Sequence, residues 1–149
     1  MLLKQKVYNH FLQFILEKEM QLQNILADLK ESGSNETKST AGDKHETALA
    51  LLQIEQANVR GQLNELLIQK VAFKKIKPDL ISTVICTGSL IITSKGYFFL
   101  SVALGKVLID ENWITAISPQ SPLGQHLVGL TVNDVVVINN NRFEIENIL

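Results

Sequence analysis

Cysteine is all but missing: Cys86 is the single one among 149 residues. One thiol closes no internal disulfide, and a zinc site would need three ligands from elsewhere. Set among apolar neighbours, Cys86 reads as a buried, inert thiol of a cytoplasmic protein. Proline occurs only at 78, 119 and 122. An excess of charge is missing too: 14 Lys and Arg face 15 Asp and Glu, so no overall field draws the chain to nucleic acid or an anionic membrane. Long apolar runs are also lacking. Lys4, Lys6, Glu17, Lys18 and Glu19 break up the first twenty residues, which excludes the unbroken core of a secretory signal. The stretch beginning at Leu80 is interrupted by Gly88, Lys95, Gly96 and several Ser and Thr, short of the roughly 20 apolar residues of a membrane span. What remains is 46% hydrophobic, too apolar for disorder and enough for one ordinary domain or two small ones.

Composition changes at Pro78. Before it, Gln, Leu, Glu, Lys and Ala dominate and Gly occurs only at 33, 42 and 61; after it, Val, Ile, Thr, Asn and Gly take over. The first part carries eleven basic and nine acidic side chains, the second three and six. This divides the chain into domains 1–78 and 79–149. In the first, Tyr8, Phe11, Ile15, Leu22, Ile25 and Leu29 follow a heptad with Lys18 in its gap. A second series runs Leu49, Leu52, Val59, Leu63, Leu66 and Phe73, with Gln56 and Lys70 in its gaps. The polar run from Gly33 to Gly42 reads as the loop between two antiparallel helices. Arms of some 30 residues make a coiled-coil hairpin about 45 Å long, its tip at about 33–46.

In the second part, Leu80–Cys86, Leu90–Thr93, Tyr97–Val102, Lys106–Ile109 and Trp113–Ile117 read as antiparallel strands, with Trp113 and Phe98 in their core. Ser121 reads as an N-cap with Pro122 at the first position of a short helix ending at Gly129. Val135–Ile138 and Phe143–Ile148 flank Asn139-Asn140-Asn141 as a closing hairpin. The fold class is therefore α+β, a helical hairpin followed by a small antiparallel β domain with one short helix.

Two segments carry a family likeness. Gly42-Asp43-Lys44-His45-Glu46 resembles the tip of the Gre-type transcript cleavage factors of bacterial RNA polymerase. Ser118-Pro119-Gln120-Ser121-Pro122-Leu123-Gly124, followed by Gly129 and Asn133-Asp134, resembles the signature that opens the last strands of their FKBP-like domain, with Asn133 where Gly is usual. The resemblance implies a factor that binds RNA polymerase through its globular domain, with Ser121, Pro122, Leu123 and Gly124 as partner-binding residues. It implies a coiled coil inserted into the secondary channel, where Asp43 and Glu46 act as catalytic acids sharing Mg²⁺ with the polymerase. Such a factor is no enzyme alone; it stimulates the polymerase's own cleavage of backtracked RNA, meets nascent RNA only indirectly, and works as a cytoplasmic monomer that binds no cofactor by itself.

The chemistry suits carboxylates, hard oxygen ligands for a cation that activates water beside a phosphodiester. Glu36 is a further candidate acid that the resemblance does not supply. Asp43 with Glu46 is equally a capping-box variant. Glu46 is followed by Thr47-Ala48-Leu49-Ala50 where the family continues Asn-Ala-acid-Tyr, which leaves a channel-binding regulator or inhibitor without cleavage activity as the alternative. A prolyl isomerase and a self-associating coiled coil are the readings from other classes. His10, His45 and His126 have no ligand spacing.

Overall fold

A proline-free stretch rich in Leu, Gln, Glu, Lys and Ala propagates helix, and α1 (Leu3–Glu36) and α2 (Asp43–Lys74) are two long ones. The computed structural model describes residues 2–36 and 43–149, with the side chains at 35–36 and 43–45 outside the description. Named contacts fix the direction of the pair. Tyr8 stacks on Phe73 with ring centroids 4.9 Å apart, Glu19 pairs with Lys70 at 2.7 Å, and the Leu29 carbonyl accepts from Gln56 Nε2 at 3.2 Å. Numbers rise along α1 as they fall along α2, so the helices are antiparallel. The end of α2 tightens into bonds from the Lys75 and Ile76 N–H groups to the Ala72 and Phe73 carbonyls, ahead of Pro78.

On α2 the inward face is the expected heptad, Leu49 through Phe73, with Gln56 and Lys70 turned inward in its gaps. Both polar residues are used, one on a carbonyl and one on a carboxylate. On α1 the expectation needs two corrections. Leu26, not Ile25, continues the inward stripe, and Glu19, not Lys18, fills its gap. Two consecutive four-residue steps, Phe11 to Ile15 to Glu19, follow the 3.6-residue turn rather than the 3.5-residue repeat and move the stripe by one position. The helix also runs three residues past Gly33, where the sequence predicts the loop to begin. Gly33 is half-buried, one step beyond Leu29 on the inward face.

The chain forms two compact units, Met1–Leu12 with Val71–Leu149, and Gln13–Lys70. The first contains a six-stranded sheet of β1 (Leu90–Thr93), β2 (Gly96–Leu100), β3 (Gly105–Ile109), β4 (Asn112–Ile117), β5 (Val135–Ile138) and β6 (Asn141–Ile148), with α3 (Pro122–Leu127) between β4 and β5. Strand order is β3-β4-β2-β1-β6-β5. The sheet is not wholly antiparallel as expected: β2 and β4 pair in parallel, Tyr97 opposite Ile114 and Phe99 opposite Ala116. Residues 101–104 carry the chain past the sheet to its edge, where β3 forms before β4 returns inside it. Leu80–Cys86 is not a strand either. Only Ile85 finds sheet-like partners, its N–H bonding the Leu130 carbonyl and its carbonyl the Gly129 N–H, both at 2.9 Å. The closing turn is as expected, with Asn139 and Asn140 in the left-handed region at φ 51° and 66°.

Both faces of the sheet are covered. One packs Ile91, Leu100, Ile145 and Ile148 with Leu127 of α3 and Ile85. On the other, the Phe99 ring lies 6.3 Å from that of Phe11 and 6.0 Å from that of Phe73, all three fully or almost fully buried. Phe98 packs at the rim of the first layer, but Trp113 is 54% exposed and not in the core. It sits near the β3–β4 edge under the Lys106 ammonium, 5.0 Å from its ring. Truncating Phe99 should therefore cost about 3–5 kcal/mol. Phe99→Leu should cost clearly less in the same chemical denaturation series, and equal losses would show that the ring contacts contribute nothing.

Candidate functional site

The tip comes first, because the sequence places its acids there. Asp43 is the first residue of α2, so Asp43 and Glu46 stand three apart in one helical turn, on one side of it. Glu46 is exposed. The side chains of Asp43, Lys44 and His45, like that of Glu36, lie outside the description. Beside the tip, within the hairpin unit, Lys30, Leu49, Leu52 and Gln56 line a hollow of about 300 Å³. Among the described residues no three His, Cys, Asp or Glu side chains gather to hold a metal, and no helix is long and apolar enough to cross a membrane.

The Ser121–Asp134 segment explains itself locally. Ser121, extended at φ −64° and ψ 156°, accepts from the Gly124 N–H at 3.0 Å and donates to the Ser118 carbonyl at 2.6 Å. Pro122 holds the first helical position, which needs no N–H donor. Leu123 is half-buried against the core. Gly124 is buried, and a Cβ there would stand 2.1 Å from the Ser118 carbonyl oxygen, so no larger residue fits without moving the backbone. Asn133 takes φ 76°, the left-handed conformation its Gly counterpart would supply. Asp134 Oδ2 then accepts from the Thr131 N–H at 2.8 Å and from its hydroxyl at 3.2 Å, closing the turn before β5. Of the four residues expected to bind a partner, only Pro122 is exposed.

Sequence reasoning missed Lys4. Within the first unit it is only 6% exposed, and its Nζ donates to the Leu80 carbonyl at 2.6 Å. Burial lowers its pKa from the usual 10.5, against smaller opposing pulls from Cys86 and Asp79. A polar residue on the inward stripe, one step before Val7, was the available signal. Cys86 is exposed, not buried as expected. Its neighbour Ile85 takes the core position, which leaves the thiol facing outward 3.7 Å from Ser89 Oγ.

No family model matches the chain, and no curated protein matches it. A solved structure described as that of the transcription factor Gfh1 aligns over 92% of this chain and 92% of its own, at 16% identity and a TM-score of 0.37. That likeness is too slight to bear on function.

Two outcomes follow from this geometry. Ser121→Ala should cost about 1 kcal/mol as a lost cap, and Gly124→Ala about 1–3 kcal/mol as overpacking against backbone. Thermal melts that rank them the other way would mean that the Ser118 carbonyl yields freely. For Lys4, the unfolded chain regains the pKa of 10.5 while the folded one stays below it, so the unfolded state binds more protons between those values and stability rises with pH there. The melting temperature of the protein relative to Lys4→Met should therefore climb as pH is raised toward 10.5. A fall would mean that the ammonium is stabilised, not strained, by its surroundings.

Proposed function

We propose that this protein is a Gre-like transcription elongation factor that binds bacterial RNA polymerase and inserts its helical hairpin into the secondary channel to promote cleavage of backtracked RNA. The observation that carries this reading is the start of α2. Asp43 and Glu46 share its first turn, on a helix whose antiparallel partner runs to Glu36, and Glu46 is exposed. The signature around Ser121 and Gly124 supports it by adopting the capped, close-packed geometry that its residues require.

Two carboxylates one turn apart are too few to hold Mg²⁺ tightly. Asp43 and Glu46 would thus complete a coordination shell begun by the polymerase and the RNA, and the cation would supply the polarisation that turns water into a nucleophile. The chain's own contribution is positional. A helix start fixes the spacing of the two acids, and the inward pair Glu19–Lys70 holds the arms in register behind them. The protein would have no nuclease activity alone.

The test is a backtracked elongation complex of the cognate polymerase with Mg²⁺, in which the RNA 3′ end is followed on a gel. Added protein should shorten the RNA, and Asp43→Ala with Glu46→Ala should return cleavage to the polymerase's unstimulated rate while leaving comigration with the complex intact. Intact RNA with comigration would replace cleavage by channel occupancy, the reading that Thr47-Ala48-Leu49-Ala50 favours. Absence of comigration would remove the polymerase as partner.

A further inference from the structure

Within the first unit, a cavity of about 760 Å³ opens among the first turn of α1, the end of α2 and the irregular segment that follows. Its volume falls within the range of small-ligand sites. Ile76, Leu80 and Ile81 form an apolar wall, and Lys4, Lys75 and Lys77 bring three cations to the same space. Lys4 is the telling residue. It is more than nine-tenths buried, yet among the described residues its ammonium has one hydrogen-bond acceptor, the neutral Leu80 carbonyl, for three N–H donors. A buried cation so placed is undercompensated, and a bound anion would repair it. The neighbouring Cys86 and Asp79 are both exposed, so their pull on Lys4 is screened by water.

We propose that this cavity binds a phosphorylated small molecule of the nucleoside diphosphate class. Its phosphates lie on Lys4, Lys75 and Lys77, and its base lies against Ile76, Leu80 and Ile81. Three lysines, one from the first turn of α1 and two from the segment after α2, match a ligand of two or more negative charges. A fatty acid carries one charge and needs a deeper apolar tunnel than this open hollow provides. None of the lining residues is at the tip, so the site does not rest on the roles proposed for Asp43 and Glu46.

The experiment is calorimetric titration of the full chain with ADP and with GDP at low salt, with inorganic phosphate, octanoate and a short single-stranded RNA as comparison probes. A nucleoside diphosphate should bind at least about tenfold more tightly than phosphate, and Lys4→Met should lose about tenfold or more, the scale of a lost hydrogen bond to a charged group. Lys75 and Lys77 are exposed, so Lys75→Gln with Lys77→Gln keeps the fold and should weaken binding several-fold. Cys86 is exposed on the cavity wall and supplies a second readout. At about ten times the Kd the site is about 90% filled, so iodoacetamide should alkylate the thiol about tenfold more slowly. Any of four results overturns the proposal: neither heat nor protection at millimolar nucleotide, affinity unchanged in both lysine variants, octanoate binding as tightly as ADP, or RNA binding more tightly than either nucleotide.

Discussion

Phe99 sits where the sheet meets both helices. Its ring contacts Phe11 near the beginning of the hairpin and Phe73 near its end, and Tyr8 stacks on Phe73 beside them. A long two-helix hairpin has little buried surface of its own, since each arm offers only a narrow stripe to the other. Its ends are therefore held by side chains that belong equally to the globular unit, which includes the first twelve residues and everything from Val71 onward. Lys6 adds a bond to Asp110 in the β3–β4 turn at 2.8 Å, but both side chains are well exposed and the aromatic packing dominates. The hairpin base and the sheet face are thus parts of one buried layer, although composition changes at Pro78.

The long-range order of the chain was legible where one physical rule sufficed. The α2 stripe follows a strict repeat from Leu49 to Phe73, and even its polar gaps, Gln56 and Lys70, are inward. On α1 two consecutive four-residue steps, Phe11 to Ile15 to Glu19, break the repeat, and a strict heptad therefore picks Ile25 and Lys18 over Leu26 and Glu19. Strands with turn residues at both ends were recognised. The parallel pairing of β2 with β4 was not, because a sequence written as five short strands says nothing about which neighbour a strand skips. Leu80–Cys86 has the composition of a strand but only Ile85 reaches partners, and that one inward position is also why Cys86 points out.

Exposure was the least legible property. Residue type places both Trp113 and Cys86 in the interior, yet both lie at its margin, one beside the sheet edge and one on a cavity wall. Lys4 is the mirror image, a charged residue placed inside by the helix period. In each case the neighbour decides: Ile114 fills the core next to Trp113, Ile85 next to Cys86, and Lys4 stands one step before Val7 on the stripe. Residue type sets a preference, and phase along the element overrides it.

The two segments that suggested a family differ in what they can say. Around Ser121, nearly every residue has a backbone reason to be what it is: a cap, a ring at the first helical turn, a glycine against a carbonyl, a left-handed asparagine, a carboxylate closing a turn. A motif that local geometry accounts for so fully is information about fold, and any protein that turns its chain this way would need similar residues. Asp43 and Glu46 stand differently. Capping accounts for an acid at a helix start, yet a solvated cap asks for no companion held at fixed spacing at the end of two long antiparallel helices. Within the hairpin unit, an inward ion pair, Glu19–Lys70, and an inward amide, Gln56, are spent on the register of two long helices, and capping alone leaves that unexplained. Asp43 and Glu46 are thus set by more than the local backbone, whereas the residues around Ser121 are set by it almost entirely.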